Sequence, residues 1–347
     1  MNRFFWAVIG LFQLTLGLAQ TSAGPQQTPK NADVLAESLT KGLTSDSLKV
    51  NAFFDWITAN VQYDVSVFQP GNRINPELQR TSLVLQTGKA VCQGYANLFY
   101  DLCRHAGIPV EIIEGYCRYS PQNPEQLQLH AWNAVKVNGK WYMADLTWGM
   151  GYLDLGTGQY VQEANRAFFL AESGKLAKTH FPFDPLWQLS YHPQTKDEFL
   201  SPAKTVANQT GRHTFNYPDS LRDYEKQDSA SRRLQAFRRM HAFDPANEEP
   251  KVRLAYHYNR LAINLMKEYT KIRSGLKTRE QLVRQQSKLN QMLSQAEAYY
   301  TNSLKFTEGI SSKSFYYANI TDNRRVIQSN LALIKDERNF IHRSAVN

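Results

Sequence analysis

A chain of 347 residues, 42% hydrophobic and 12% aromatic, holds enough apolar material to bury a sizeable core, which excludes a disordered chain. Three cysteines exclude a disulfide framework, and without paired Cys-x-x-Cys or His-x-x-x-His spacing they do not make a structural zinc site. The net charge of +9 sits at one end: residues 1–219 carry 17 Lys+Arg against 18 Asp+Glu, residues 220–347 carry 23 against 13. The cations of the second part are dispersed along helical patterns and read as a solvated face, so nucleic acid is not expected as a partner.

Arg3 followed by the apolar stretch Phe4 to Leu18, with Gly17-Leu18-Ala19 as a small-x-small cleavage site, reads as an export signal over residues 1–19. It is short for a membrane span and lacks a stop-transfer flank. No later segment approaches 18 consecutive apolar residues, so no stable membrane span is expected and the mature protein is expected to be secreted or periplasmic. Residues 20–45 begin with a run of Gln, Thr, Pro and Ser and read as a flexible leader. Val50, Phe53, Phe54 and Ile57 then predict a helix over 46–60, with Ser45 or Ser47 as its N-cap. A loop over 66–80 and a short helix over 78–86 lead to Gly88.

Cys92 follows that glycine turn and opens a helix predicted over 91–106, with Ala96, Phe99, Leu102, Cys103 and Ala106 on one face and Gly107 and Pro109 as its stop. A thiol in the first turn of a helix meets unsatisfied N–H groups and the positive end of the dipole, which favour the thiolate. Cys92 and Cys103 would lie about 16 Å apart along such a helix. A disulfide needs Cα atoms within about 7 Å, so that pair is excluded. A Cys103–Cys117 bridge and three reduced thiols both stay open. Val110 to Tyr116 predicts a strand.

Two apolar runs, 130–137 and 140–148, flank Asn138-Gly139, the strongest short-range hairpin signal. A two-residue turn there sets Val137 opposite Lys140 and, by continuation, Trp132 opposite Asp145 and His130 opposite Thr147. His130 and Asp145 then become diagonal neighbours on one face. Residues 160–200 show little regular period, and 201–219 read as a linker. Residues 220–347 read as helices over 220–241, 249–272, 278–306 and 320–341, a basic helical C-terminal domain.

A thiol, a base and a group that orients the base make an activated nucleophile, and Cys92, His130 and Asp145 are the residues of those types that the pattern brings together. The stretches Gly88-Lys89-Ala90-Val91-Cys92-Gln93-Gly94-Tyr95-Ala96, His130-Ala131-Trp132-Asn133-Ala134-Val135 and Trp141 to Gly149 resemble the core motifs of the transglutaminase-like superfamily, in that family's order. The likeness covers about residues 50–155. It implies an α+β, papain/transglutaminase-like core over 46–200, with the cysteine helix packed on an antiparallel sheet, followed by the all-α region. It also implies Cys92 as nucleophile, His130 as base and Asp145 as orienter, acting on peptide or protein amides through a thioester, with hydrolysis favoured over crosslinking. No cofactor and no metal are implied. Gln86 is a candidate second oxyanion donor, and Trp132 and Trp148 either wall the site or fill the core. The competing reading is a non-catalytic binding or scaffolding module, with the helical region as a surface for a protein partner.

Overall fold

The computed structural model describes residues 31–346 apart from 69–71, 73, 119–126, 155, 202–213 and 315. The export signal over 1–19 lies outside the described residues, as does the leader up to residue 30. The rest of the leader is not loose: Ala32–Thr40 form helix α1, with Leu35 and Ala36 buried in the main core. Ala32, Leu35, Ala36 and Leu39 recur at three- and four-residue spacing, a helical stripe hidden by the Gln- and Pro-rich run just before it.

Helix α2 (Asp46–Asn60) starts where Ser45 accepts from the Leu48 N–H and buries Val50, Phe53, Phe54 and Ile57. Strand β1 (Gln62–Tyr63), helix α3 (Thr81–Thr87) and β2 (Lys89–Ala90) bring the chain to helix α4 (Cys92–His105). Gly88 caps α3 at φ 63°, a left-handed conformation that favours glycine, and β2 pairs in parallel with β1. The short helix expected over 78–86 is thus two pieces, a 3-10 turn at Pro76–Gln79 and α3.

Strands β3 (Val110–Arg118), β4 (Leu127–Val137) and β5 (Lys140–Ala144) form an antiparallel sheet. Helix α4 packs on it, with Leu98, Phe99, Leu102 and Cys103 sharing a core with Val110, Val135 and Val137. The hairpin register is as counted from Asn138-Gly139, whose φ values of 50° and 79° fit a type I′ turn. It holds from Val137↔Lys140 to Asn133↔Ala144 and ends there. Asp145 leaves the strand and N-caps helix α5 (Leu146–Met150), its side chain accepting from the Trp148 N–H. Trp132 therefore sits opposite Ile113 and His130 opposite Gly115, both on β3. Asp is a poor strand residue and a strong N-cap, and the second preference wins.

Strands β6 (Gly151–Asp154) and β7 (Gln159–Gln162) make a separate hairpin, and after helix α6 (Ser173–Leu176) strand β8 (His180–Pro182) adds to the far edge of the sheet. The sheet order is β5-β4-β3-β8. β8 is absent from the sequence reading, which found no period there. Three residues are too few for one, and what places them is the packing of Phe181 and Phe183 with Phe199 and Met240.

The remaining helices are α7 (Lys196–Leu200), α8 (Tyr217–Lys226), α9 (Ser229–Phe243), α10 (Glu248–Gly275), α11 (Arg279–Phe306) and α12 (Tyr317–Val346). The stretch expected as one helix over 220–241 is two, broken at Gln227 and Asp228, and α8 starts inside the stretch read as linker. α10, α11 and α12 pack together, with α12 burying Ile320, Ile327, Ile334 and Ile341 at seven-residue intervals. α9 holds the sheet domain through Arg239, whose guanidinium donates to Asp184 at 2.7 and 2.5 Å. Arg232 and Arg253 make ion pairs with Glu111 and Glu114 on β3. None of the three cysteines is in a disulfide: Cys103 is in the α4 core, and the Cys117 thiol faces the Gln128 carbonyl at 3.7 Å, so no Cys103–Cys117 bridge forms. Among the described residues no helix is long and apolar enough to cross a membrane.

Candidate active site

Three elements converge at the start of α4. Cys92 is the first residue of that helix, after Val91 in extended conformation. By position the Cys92 and Gln93 N–H groups have no intrahelical acceptor, whereas the Gly94 N–H donates to the Val91 carbonyl at 2.8 Å. His130 comes from the middle of β4, and Asp145 from the point where β5 gives way to α5. The Cys92 thiol lies where the His130 charge and the Ala131 backbone both favour its thiolate. His130 Nε2 lies 2.7 Å from Asp145 Oδ2. His130 and Asp145 are both fully buried at their side chains, while Cys92 is half-buried. The sequence reading placed His130 and Asp145 on neighbouring strand positions. They meet instead because the N-cap turn swings the carboxylate back over the sheet.

Residues 33–146 match the model of the transglutaminase-like superfamily. This stretch is similar to transglutaminase-like domains. It is 32% identical over 182 residues to the kyphoscoliosis peptidase of Mus musculus, and 32% identical over 207 residues to that of Homo sapiens. These matches take in 51% and 57% of this chain but 27% and 31% of theirs. It is 26% identical over 189 residues to Hillarin of Drosophila melanogaster, covering 50% of this chain and 22% of that one. A solved structure described as a TGase is 20% identical, with a TM-score of 0.27 over 40% of this chain and 34% of the other. The chain spans under a third of the length of these curated relatives.

At the site each of the three groups is shifted toward its charged form against burial. Burial pushes the Cys92 thiol up, but the hydrogen bond and positive charge of His130 and the Ala131 N–H outweigh it, so the thiol titrates below its ordinary range. Burial likewise penalises the His130 imidazolium, and the Asp145 carboxylate overturns that penalty, lifting His130 well above the ordinary histidine value. Burial would raise the Asp145 carboxyl, yet it faces His130 and a second histidine and is held well below the usual carboxylate range. A buried carboxylate with this many donors stays ionised. These shifts favour the Cys92 thiolate and the His130 imidazolium beside an ionised Asp145.

That second histidine is His180 on β8, 35 residues beyond Asp145 and unassigned by the sequence reading. Its Nε2 lies 2.9 Å from the same Asp145 oxygen that His130 uses. Gln79 is another residue the sequence reading missed. It is buried, and its Oε1 accepts from the Val91 N–H at 3.0 Å, just before Cys92. The oxyanion candidate Gln86 is instead an exposed residue of α3. The Trp132 and Trp148 rings pack on both histidines: Trp132 at 5.9 Å from His130 and 5.1 Å from His180, Trp148 at 6.1 and 4.7 Å. Trp132 also belongs to the core behind the sheet, so it fills core and walls the site at once.

His130, Asp145 and His180 have the donor types of a metal site, and their donor atoms fall within 4.8 Å of one another. The geometry fits protons better. Ligands of a tetrahedral zinc at about 2.05 Å stand about 3.3 Å apart. Both nitrogens here stand at 2.7 and 2.9 Å from a single carboxylate oxygen, which are hydrogen-bond separations.

Proposed function

We propose that the chain is an exported cysteine enzyme that hydrolyses amide bonds of peptides or proteins through a Cys92 thioester. The observation that carries this reading is the buried His130–Asp145 pair at 2.7 Å with Cys92 within its field, the thiol lowered and the imidazole raised. The Cys92 sulfur attacks the amide carbonyl and forms the C–S bond. The oxyanion is met by the Cys92 backbone N–H at the start of α4. His130⁺ gives its proton to the leaving amine as the C–N bond breaks, leaving an acyl-enzyme and a neutral imidazole. His130 then takes a proton from water as the water oxygen attacks the thioester; the C–S bond breaks, the acid product leaves, and the sulfur departs as a thiolate beside His130⁺, which restores the starting pair. Asp145 stays ionised throughout and holds the ring. Water as the acceptor is favoured because the relatives at 32% identity are named peptidases. Export rests on the signal-like first 19 residues, which leave Gln20 as the new N-terminus.

The test is mass spectrometry of an extracellular protein mixture after incubation with the protein and with Cys92→Ala. New peptide termini made only by the intact chain are the expected result. Crosslinked pairs with ammonia released would replace hydrolysis by transfer, and identical mixtures would overturn the enzyme reading. N-terminal sequencing of the protein recovered outside the cytoplasm should begin at Gln20.

A further inference from the structure

The mechanism above makes no use of His180, although it is as buried as Asp145 and bonded to it. β8 pairs with β3 so that His180 stands opposite Cys117. Its Nε2 is 2.9 Å from Asp145 Oδ2, and its Nδ1 is 2.9 Å from the Thr179 hydroxyl. Asp145 Oδ2 thus takes two imidazole nitrogens, while Oδ1 takes the Trp148 N–H at 3.1 Å. We propose that His180 is a positioning residue, a neutral Nε2–H donor that holds the Asp145 carboxylate against His130 and sets how tightly that carboxylate binds the His130 proton. The inference rests on the Cys92–His130–Asp145 reading and adds a fourth member to it.

The protonation state follows from the partners. A carboxylate oxygen only accepts, so His180 Nε2 carries hydrogen. Nδ1 faces a hydroxyl that either donates to it, leaving His180 neutral, or accepts from it, leaving His180 cationic with the Thr179 hydrogen turned to the Leu176 carbonyl at 3.2 Å. A second imidazolium would sit beside His130⁺, whose ring centroid is 5.7 Å away, in a site that is fully buried. Burial and the His130 charge outweigh the pull of Asp145 and keep His180 below the ordinary histidine value, so Thr179 donates. The other ionisable groups facing the cluster are Cys92 on α4, Cys117 on β3, Tyr63 on β1 and Tyr160 on β7. Their charged forms are anionic, and both tyrosines are held neutral by burial. A shared oxygen is a less basic oxygen. Each donor on Asp145 lowers its proton affinity and loosens its hold on the His130 proton, which has to move during the reaction.

The experiment is peptide-resolved iodoacetamide labelling of Cys92 in the full chain across pH, in wild type, His180→Leu, His180→Gln and His130→Ala. The wild-type profile should show two inflections, the lower from the thiol and the upper from His130. His180→Leu should move the upper inflection to higher pH by about one unit, the tenfold change in proton equilibrium expected from losing one charge-assisted hydrogen bond. His180→Gln, which keeps a donor, should bring it back within about half a unit of wild type, less than the effect of that lost bond. An upper inflection unmoved in folded His180→Leu, or moved without rescue by Gln, overturns the proposal. If His180→Leu does not fold, the ¹⁵N shifts of the wild-type histidines decide. His180 should be the neutral Nε2–H tautomer at pH 7, and an imidazolium or an Nδ1–H tautomer refutes it. His130→Ala separates the two ideas: a single ordinary thiol titration there supports the triad, while an unchanged two-step profile sinks the triad reading itself.

Discussion

Asp145→Asn isolates one charge. Asn caps helices about as well as Asp, so the bond from the Trp148 N–H and the start of α5 should survive. What disappears is the anion 2.7 Å from His130 Nε2. Two unit charges at that distance attract by about 6 kcal/mol at an effective dielectric near 20, an upper bound on what the pair gives the imidazolium. Burial by itself pushes His130 down, so without the anion the ring should be neutral at pH 7 and Cys92 should lose the partner that lowers its thiol. A buried triad carboxylate replaced by its amide costs on the order of 10⁴ in turnover where this has been tested, and a fall of about 10³–10⁴ in peptide-bond cleavage is expected here. The assay is initial-rate cleavage of a substrate found by the mass-spectrometric screen, paired with Cys92 alkylation between pH 4 and 10. Folding is checked by thermal melting. A variant that melts like wild type and keeps both its rate and its alkylation profile within about threefold would refute the account of Asp145 as the anchor of the charge pair.

Gly115→Ala should lose about 2–4 kcal/mol in chemical denaturation, because a Cβ there would meet the Phe181 carbonyl oxygen at 2.1 Å and the Trp132 ring at 2.6 Å, and backbone on one side leaves no easy relief. Arg239→Ala should cost about 3 kcal/mol by stranding Asp184, which is 3% exposed at its side chain, and wild-type stability would show the helical region contributes nothing to the sheet edge through this pair. Stability should peak near pH 6.5. His180, held below its ordinary 6.5, stays neutral while the unfolded chain takes up a proton, so stability is lost as pH falls under that value, and Asp145 adds to the loss below its ordinary 3.8. His130, raised above 6.5, contributes fully below that value and loses its contribution as pH climbs through its folded value. Melting temperatures across pH check this, and His180→Gln should flatten the slope between pH 6.5 and 4; an unaltered slope would place the acid lability elsewhere.

How much of this was legible in the chain depends on the range over which each residue's position is decided. The start of α4 at Cys92 and the β4–β5 turn are decided locally, by Gly88, Gly107 and Asn138-Gly139, and both appear in the structure where the residues put them. Counting outward from the turn is reliable only while both chains remain strands. It fails at Asp145, where a local preference for capping, also written in the sequence, outbids the strand. The pairing of His130 with Asp145 was therefore right in its partners and wrong in its geometry. His180 is decided by nothing local. It reaches the site because β8 pairs with β3, 63 residues back from His180 to Cys117, and because Phe181 and Phe183 find a pocket against Phe199 and Met240 of α7 and α9. This gives the helical region a physical connection to the chemistry. α9 packs on the phenylalanines that flank His180 and Pro182, and its Arg239 grips Asp184 two residues further on. Loosening α9 should therefore displace β8 before it disturbs α4 or the β4–β5 hairpin. The first thing lost at the site would then be the His180 bond to Asp145, with Cys92 and His130 still in place.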